Sequence, residues 1–479
     1  MKRYRWPKIA IIVGSIIVFS FLVLEAYREN LGMAWRGYQK TYREALTTAA
    51  EDEPGDLPFS TYALRMRQVV LPATNKVDRC VTCHVGVEDP RMMDSPNPLK
   101  THPGRILDRH EVERFGCTVC HQGQGRAVST EAAHGQIEHW LYPLVDLMAN
   151  EGILPEGNPT ISSADLLQSS CYQCHNYPNL FKVSNIGAEA LAEGQRVFMD
   201  KGCLSCHQIN GIGANTGVDI STIGDKPLFE YDFSFFPENL EKTIFNWHYQ
   251  HLRNPNTVVP GTIMPFNLFA ENELQKLVVF VLSLKEDGIN PLLKFSREAL
   301  SGYEAYRAFC AGCHGKEGQG KGMATSLNND ILLSGVSDQF WMAAIEGGRE
   351  GSRRMPSFTF EETGILPEEI RLVLEFVDTW RREKGVIERD NLDLDTSRVE
   401  GDAENGRAIL HEVESCAECH GENGVGTKTA AELNNPDFLG RSSDSYIKAT
   451  IKSDRMKAKT ISHFTDEELD DVIAYMRSW

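Results

Sequence analysis

Gly194-Gln-Arg-Val-Phe-Met-Asp-Lys-Gly-Cys-Leu-Ser-Cys-His207 joins two signals that recur along the chain. The first is an amphipathic stretch carrying a glycine. The second is a pair of cysteines three apart with a histidine directly after. That ending occurs six times, as Cys80/Cys83/His84, Cys117/Cys120/His121, Cys171/Cys174/His175, Cys203/Cys206/His207, Cys310/Cys313/His314 and Cys416/Cys419/His420. Together the copies use all 12 cysteines of the 479 residues. Zinc binding, structural disulfides and a thioredoxin-like redox pair are the rival readings. Zinc sites need a partner pair or histidines at metal spacing, but do not require histidine after each second cysteine.

Two thiols at this spacing can add to the two vinyl groups of one porphyrin, and the next residue then aims its imidazole at the iron. This is the attachment motif of c-type haem. With 14 His in 479 residues, six such placements by chance come to on the order of one in 10⁹. The expected cofactors are six covalently attached haem c groups, bonded through the twelve cysteines. Their proximal ligands are His84, His121, His175, His207, His314 and His420.

Composition narrows the function. There are 67 acidic and 49 basic side chains, for a formal charge of −18. A phosphate backbone selects clustered Lys and Arg, so nucleic acid is excluded as a partner. The acidic balance suits a basic soluble partner or simple solubility. Twelve cysteines in this length are too sparse for a disulfide-stapled scaffold, and the length itself suggests about three to five compact units.

Lys2, Arg3, Arg5 and Lys8 precede an apolar run from Ile9 to Leu24, which Glu25, Arg28 and Glu29 end. The run is a little short of the ~20 residues of a bilayer span, so Trp6 and Tyr27 are expected at the two interfaces. A cleaved signal peptide needs a small-x-small site, and Leu24-Glu25-Ala26-Tyr27-Arg28 is a poor one. The expectation is an uncleaved single-pass anchor in the cytoplasmic (inner) membrane. Its basic end is cytoplasmic and the haem domains lie on the periplasmic side.

The last three motifs start 107 and 106 residues apart, at Cys203, Cys310 and Cys416. Regular spacing signals tandem units. Each motif follows a glycine-bearing stretch: Gly194 to Phe198, Gly302 to Tyr306 and Gly406 to Leu410. The spacing predicts a closing helix in each unit, over Glu271–Lys285, Pro367–Glu383 and Thr465–Trp479. These align without a gap: Glu273, Glu369 and Glu468 share one position, Phe280, Phe376 and Tyr475 another, and Trp380 and Trp479 a third, where the first unit has Leu284. The glycine lets the closing helix cross the first helix closely, and the aromatic fills the crossing.

These units resemble class I cytochrome c domains: first helix, haem motif, loop, methionine ligand, closing helix. Asn254-Pro-Asn-Thr-Val-Val-Pro-Gly-Thr-Ile-Met264-Pro-Phe266 follows the family's methionine loop, and Arg354-Met355-Pro356 matches it again. The resemblance implies Met264 and Met355 as distal ligands of the fourth and fifth haems. Arg455-Met456-Lys457 keeps Arg-Met without the proline, so Met456 is the expected ligand of the sixth, in competition with His411 and His463. Thioether ligation raises haem potential.

Residues 31–185 read differently. Three motifs within 96 residues are too dense for three full apolar cores. Haem must serve as core material, with short helices and irregular loops around it. No Met-Pro loop occurs here, so bis-His ligation is expected, from His102, His110 and His134 with His139 in reserve. Met66, Met92, Met93 and Met148 are weaker substitutes. The segment from Arg114 to Arg126 resembles multihaem cytochromes associated with quinol-oxidising bc-type assemblies or alternative complex III, which implies membrane company.

The expected fold is therefore mainly α: anchor 1–30, tri-haem domain 31–185, and class I cytochrome c domains at 186–290, 291–390 and 391–479. Electron carriers fill both axial sites, whereas catalysts leave one open. The available ligands permit six closed sites, which points to electron transfer and not to an enzyme. Expected partners are other subunits of a membrane electron-transfer complex, and a soluble cytochrome or terminal oxidase. The alternative is a nitrite or peroxide reductase with one open haem. Gly315, Gly318 and Gly320, paralleled by Gly421, Gly424 and Gly426, are expected to allow close backbone approach to haem.

Overall fold

A computed structural model of the chain describes residues 5–52, 62–71, 76–137, 140, 144, 161–176, 187–286, 297–321, 324–349, 355–385, 398–411, 416–427, 430, 432–452 and 464–479. The fold is mainly helical. It opens with the helix Arg5–Asn30. Within it, the 23 residues Trp6–Arg28 have a mean hydropathy of 2.6, and none of that stretch is buried in the chain. By length and composition it can cross a membrane. Among the described residues no other helix meets that standard.

The chain divides into two compact units: 1–170 with 227–232 and 238–244, and 171–226 with 233–237 and 245–479. The division falls at the third haem motif, between Ser170 and Cys171.

In the first unit the helix Ala34–Asp52 buries Trp35, Gln39, Tyr42 and Leu46, which recur at three- and four-residue steps on one face. Tyr42 and Leu46 pack with Met92 and Leu99. The buried Gln39 amide donates to the carbonyls of Arg65 and Thr82, each at 2.8 Å, and accepts from the Arg65 N–H at 2.9 Å. Because Thr82 lies inside the first haem motif, one side chain ties the helix to that turn. Beyond it the elements are short: single turns such as Val112–Phe115 and Thr118–His121, and an antiparallel ribbon of Val69–Leu71 with Lys76–Asp78.

The second unit contains three crossed helix pairs. Glu189–Asp200 packs on Glu271–Leu282, Gly302–Ala305 on Pro367–Glu383, and Ala403–His411 on Asp466–Arg477. The glycines act as expected: a Cβ at Gly194, Gly302 or Gly406 would collide with the carbonyl oxygen of Lys276, Leu372 or Asp471 in the crossing helix. Phe280 lies 5.1 Å from Phe198, and Phe376 lies 5.3 Å from Tyr306, ring centre to ring centre.

The aligned glutamates have a local purpose. Glu273, Glu369 and Glu468 reach back to the backbone N–H of Ala270, Leu366 and Thr465, at 3.3, 2.8 and 2.7 Å. Each satisfies a donor that the helix start leaves unpaired. Glu369 is fully buried and also takes both guanidinium N–H groups of Arg297.

The six glycines after the last two haem motifs all have positive φ, from 67° to 83°. Among the described atoms, two of them, Gly318 and Gly424, permit close approach of an indole. A Cβ on Gly318 would lie 2.7 Å from the Trp380 ring, and one on Gly424 would meet Trp479 at 2.5 Å.

Candidate haem centres

Every described attachment motif is a tight turn. The N–H of His84, His121, His175 and His207 donates to the carbonyl of the first cysteine in its motif, at 2.9, 2.9, 3.0 and 2.9 Å. The remaining two are helical, at Ala311–His314 and Cys416–His420. Such a turn gathers residues i, i+3 and i+4 on one face, as a porphyrin with two vinyl groups and one iron requires. None of the twelve cysteines is in a disulfide.

The turns do not bury their thiols equally: Cys174 and Cys419 are exposed, and the other ten cysteines are half-buried. The reason is which face of each turn the chain packs. In the third motif Tyr172 and Asn176 are buried, and Cys174, midway between them, falls on the opposite side of the turn. In the sixth His420 is buried, which turns the preceding Cys419 about 100° away toward solvent. In the second motif the Cys120 carbonyl accepts from Ser170 Oγ at 2.6 Å.

Backbone carbonyls orient the proximal imidazoles. His207 Nδ1 donates to the Val218 carbonyl at 2.8 Å, and His314 Nδ1 to the Thr325 carbonyl at 2.9 Å. Each contact fixes the tautomer that leaves Nε2 for a metal.

In the first unit both proximal histidines face another imidazole. His84 and His134 have ring centres 6.4 Å apart with planes 11° from parallel. His102 and His121 are 6.0 Å apart with planes at 79°. Two metal–imidazole bonds of about 2.0 Å, each with ~1.1 Å from nitrogen to ring centre, place axial ring centres ~6.2 Å apart. The ring-centre separations of both pairs match that spacing. Burial, then the neighbouring His102, lowers the pKa of His121.

The other expected ligands fall in several places. His110 is half-buried, with Nδ1 3.2 Å from the Ile106 carbonyl and its ring against Phe115. His139, Met148, Met456 and His463 lie outside the described residues. Met92 belongs to the apolar core, whereas Met66 and Met93 are exposed. Met264 is half-buried ahead of its closing helix, its N–H donating to Thr262 Oγ1 at 3.2 Å. Met355 is held in an antiparallel bridge with Arg349 by hydrogen bonds of 2.8 and 2.9 Å. His411 ends its helix with its ring 6.3 Å from Tyr475 on the closing helix.

Sequence reasoning missed several groups beside these centres. His251 and Trp341 lie on helices Ile244–Arg253 and Asp338–Gly347, which precede the two methionine segments. His251 Nδ1 and Trp341 Nε1 are buried without a hydrogen-bond partner among the described residues. Orphaned N–H donors of this kind suit the acid side chains of a porphyrin. Trp247 stacks on His251 with ring centres 4.9 Å apart. Burial pushes His251 down to about 4 and His248 to about 3, so both are neutral at neutral pH.

Some attachment points come in contacting pairs. The thiols of Cys80 and Cys117 hydrogen-bond to each other, as do those of Cys206 and Cys313. Between the latter two turns the Gly312 N–H donates to Ser205 Oγ at 3.2 Å, and a Cβ on Gly202 would collide with the Gly312 backbone. Burial pushes the Cys203 and Cys310 thiols up to about 12. Conversion to thioethers abolishes these titrations.

The family model described as cytochrome c matches residues 191–285. The model described as cytochrome c oxidase, cbb3-type, subunit III matches residues 297–377 and 401–476. Among curated proteins, the chain is similar to a cytochrome c oxidase subunit 2 from Alkalihalophilus pseudofirmus (strain ATCC BAA-2126 / JCM 17055 / OF4). The two are 26% identical over 99 residues, 20% of this chain and 27% of that protein. The chain thus spans about a quarter of that relative's length. No solved structure matches it. The C-terminal half therefore contains cytochrome c domains, with the covalently bound haem and electron-transport chemistry that such domains carry.

Proposed function

We propose that this chain is a membrane-tethered electron conduit bearing six haem c groups, all closed to exogenous ligands. The opposition of His84 by His134, and of His121 by His102, carries this reading. With His134 and His102 as ligands, neither of these two haems would keep a coordination position for a substrate.

Domains run 1–30, 31–185, 186–290, 291–390 and 391–479. All twelve cysteines form thioethers, the exposed Cys174 and Cys419 included. His134 and His102 serve the first and second haems. His110, with His139 in reserve, serves the third, and Met264, Met355 and Met456 serve the fourth to sixth. When bound, each haem supplies a one-electron ferric/ferrous couple, linking a quinol-oxidising membrane complex to a soluble cytochrome or terminal oxidase. The protein's own groups attach, orient and tune. Val218 and Thr325 hold imidazole tautomers, and the methionines favour the reduced state over the bis-His centres. The basic end of the anchor faces the cytoplasm and the haem domains lie outside.

Intact mass of the matured protein and a carbon monoxide titration of its reduced form test the proposal. Six haem additions and weak carbon monoxide binding are expected. Fewer additions, or a full stoichiometric shift at any haem, would overturn it.

A further inference from the structure

Asp78 ends the second strand of the Val69–Leu71/Lys76–Asp78 ribbon and is fully buried. No motif marks it. Its Oδ1 accepts from the Cys80 N–H at 3.0 Å, and its Oδ2 accepts from the N–H of Cys117 and Thr118, both at 2.7 Å. One carboxylate thus bonds the backbone of two separate attachment turns. A carboxylate oxygen and the sulfurs of Cys80 and Cys117 all lie within 4.8 Å of one another.

The surroundings favour a charge in this position. Burial opposes ionisation, but three backbone N–H groups, of Cys80, Cys117 and Thr118, point at the carboxylate and favour its charged form, and they stay in place when the thiols become thioethers. The adjacent cation, Arg79, directs its guanidinium to Gln68 and the Arg126 carbonyl instead, at 3.2 and 2.7 Å. Gly116, at φ +67°, clears the space: a Cβ there would lie 3.1 Å from Asp78 Oδ2. The field of Asp78 also reaches His121, the proximal imidazole of the second motif.

We propose that Asp78 is a positioning residue shared by the first and second haems, whose buried negative charge lowers both of their potentials together. The inference rests on the assignment of haems to Cys80/Cys83 and Cys117/Cys120. The physical reason is that oxidised iron carries one more positive charge than reduced iron. A fixed anion in a dry site therefore stabilises the ferric state, with little solvent to screen it. Because the same carboxylate orients both turns, the two centres are tuned as a unit.

The experiment is a mediated redox titration, from ferricyanide to dithionite, of full-length protein carrying Asp78→Asn. Asn keeps the shape and an acceptor oxygen but removes the charge. Both haems should become easier to reduce, by about tenfold in each one-electron equilibrium constant, about 59 mV. The other four should stay in place, and Asp78→Glu, which keeps the charge, should leave both potentials near those of the parent. Movement of neither haem, of only one, or of all six together would overturn the proposal. If the Asn variant fails to mature, infrared difference spectra of unsubstituted protein with carboxyl-labelled aspartate replace it. A carboxylate band should respond to reduction of both haems, and a band responding to one or neither would overturn the proposal. Intact mass separates the two levels of inference. Unmodified Cys80 and Cys117 would remove the haem assignment itself, whereas attached haems with unmoved potentials would remove only the role of Asp78.

Discussion

The imidazoles of His84 and His134 face each other almost in parallel, 6.4 Å between ring centres, while those of His102 and His121 stand nearly perpendicular at 6.0 Å. If each pair holds a haem as proposed, the two haems would share ligand types but differ in ligand orientation. Ring orientation sets the splitting of the iron d orbitals, so low-temperature electron paramagnetic resonance should resolve one rhombic and one highly anisotropic low-spin ferric signal. His134→Ala should remove the first and let carbon monoxide bind one haem, and His102→Ala should remove the second. Loss of the same signal in both variants would contradict the pairing.

Met264→Ala should lower the potential of one haem and leave the other five spectra nearly intact, because thioether ligation favours reduced iron. Met355→Ala should act the same way on a different haem. The readouts are the methionine-to-iron charge-transfer absorption and a potentiometric titration. An unchanged charge-transfer band in either variant would remove that methionine from the ligand set.

Glu369 is buried against Arg297 and also bonds the backbone N–H of Leu300 and Leu366, both at 2.8 Å. Glu369→Ala strands a buried guanidinium and should cost about 3–5 kcal/mol. Hydrogen exchange across Pro367–Glu383 would report this as lost protection. An effect within about 1 kcal/mol of the parent would mean that the pair is dispensable.

Glycine-to-alanine substitution should change sign with position. Gly37 lies inside the helix Ala34–Asp52 with nothing near its missing Cβ, so Gly37→Ala should stabilise by about 0.5–1 kcal/mol. Gly194→Ala drives a methyl into the Lys276 carbonyl and should destabilise by about 1–3 kcal/mol. Denaturant titrations of the two variants test the contrast. Equal shifts would refute the close crossing.

Acid should weaken the second unit through His248. Its folded value is about 3, against an ordinary value near ~6.5. Between those limits the unfolded chain binds a proton that the folded chain refuses. The contribution of His248 is therefore complete above about pH 6.5 and falls as pH is lowered toward about 3, by at most about 1.4 kcal/mol per unit. His248→Gln should flatten that slope in denaturant titrations at several pH values. An unchanged slope would place the acid sensitivity elsewhere.

The readable features were local ones. Cys-x-x-Cys-His is a single turn, so its chemistry depends on residues three and four apart and shows in the letters. The same holds for the helix periodicities, the capping glutamates and the glycine steps at Gly194, Gly302 and Gly406. How far each turn is enclosed did not show: Cys174 and Cys419 read like the other ten cysteines, yet their thiols face outward. The sequence expectation over Glu271–Lys285 overran the helix only at its end, since Ser283 already forms the C-cap. The glycines beside Trp380 and Trp479 were recognised as sites of close approach. The neighbour named there was haem, whereas the group found against Gly318 and Gly424 is an indole from a helix dozens of residues away.

The amino-acid sequence by itself carried the six Cys-x-x-Cys-His turns, the apolar N-terminal helix and the repeated helix pairs. Tertiary structure alone decided which histidine stands opposite which. His102 lies nearer to His84 along the chain yet faces His121, while His134, beyond His121, turns back to His84. It also decided that Asp78 is buried between two attachment turns, whose cysteines are 37 residues apart in the chain. Helical turns are set by near neighbours. Ligand pairing and buried charge are set by how loops fold back on one another, and no spacing within the chain encodes that packing.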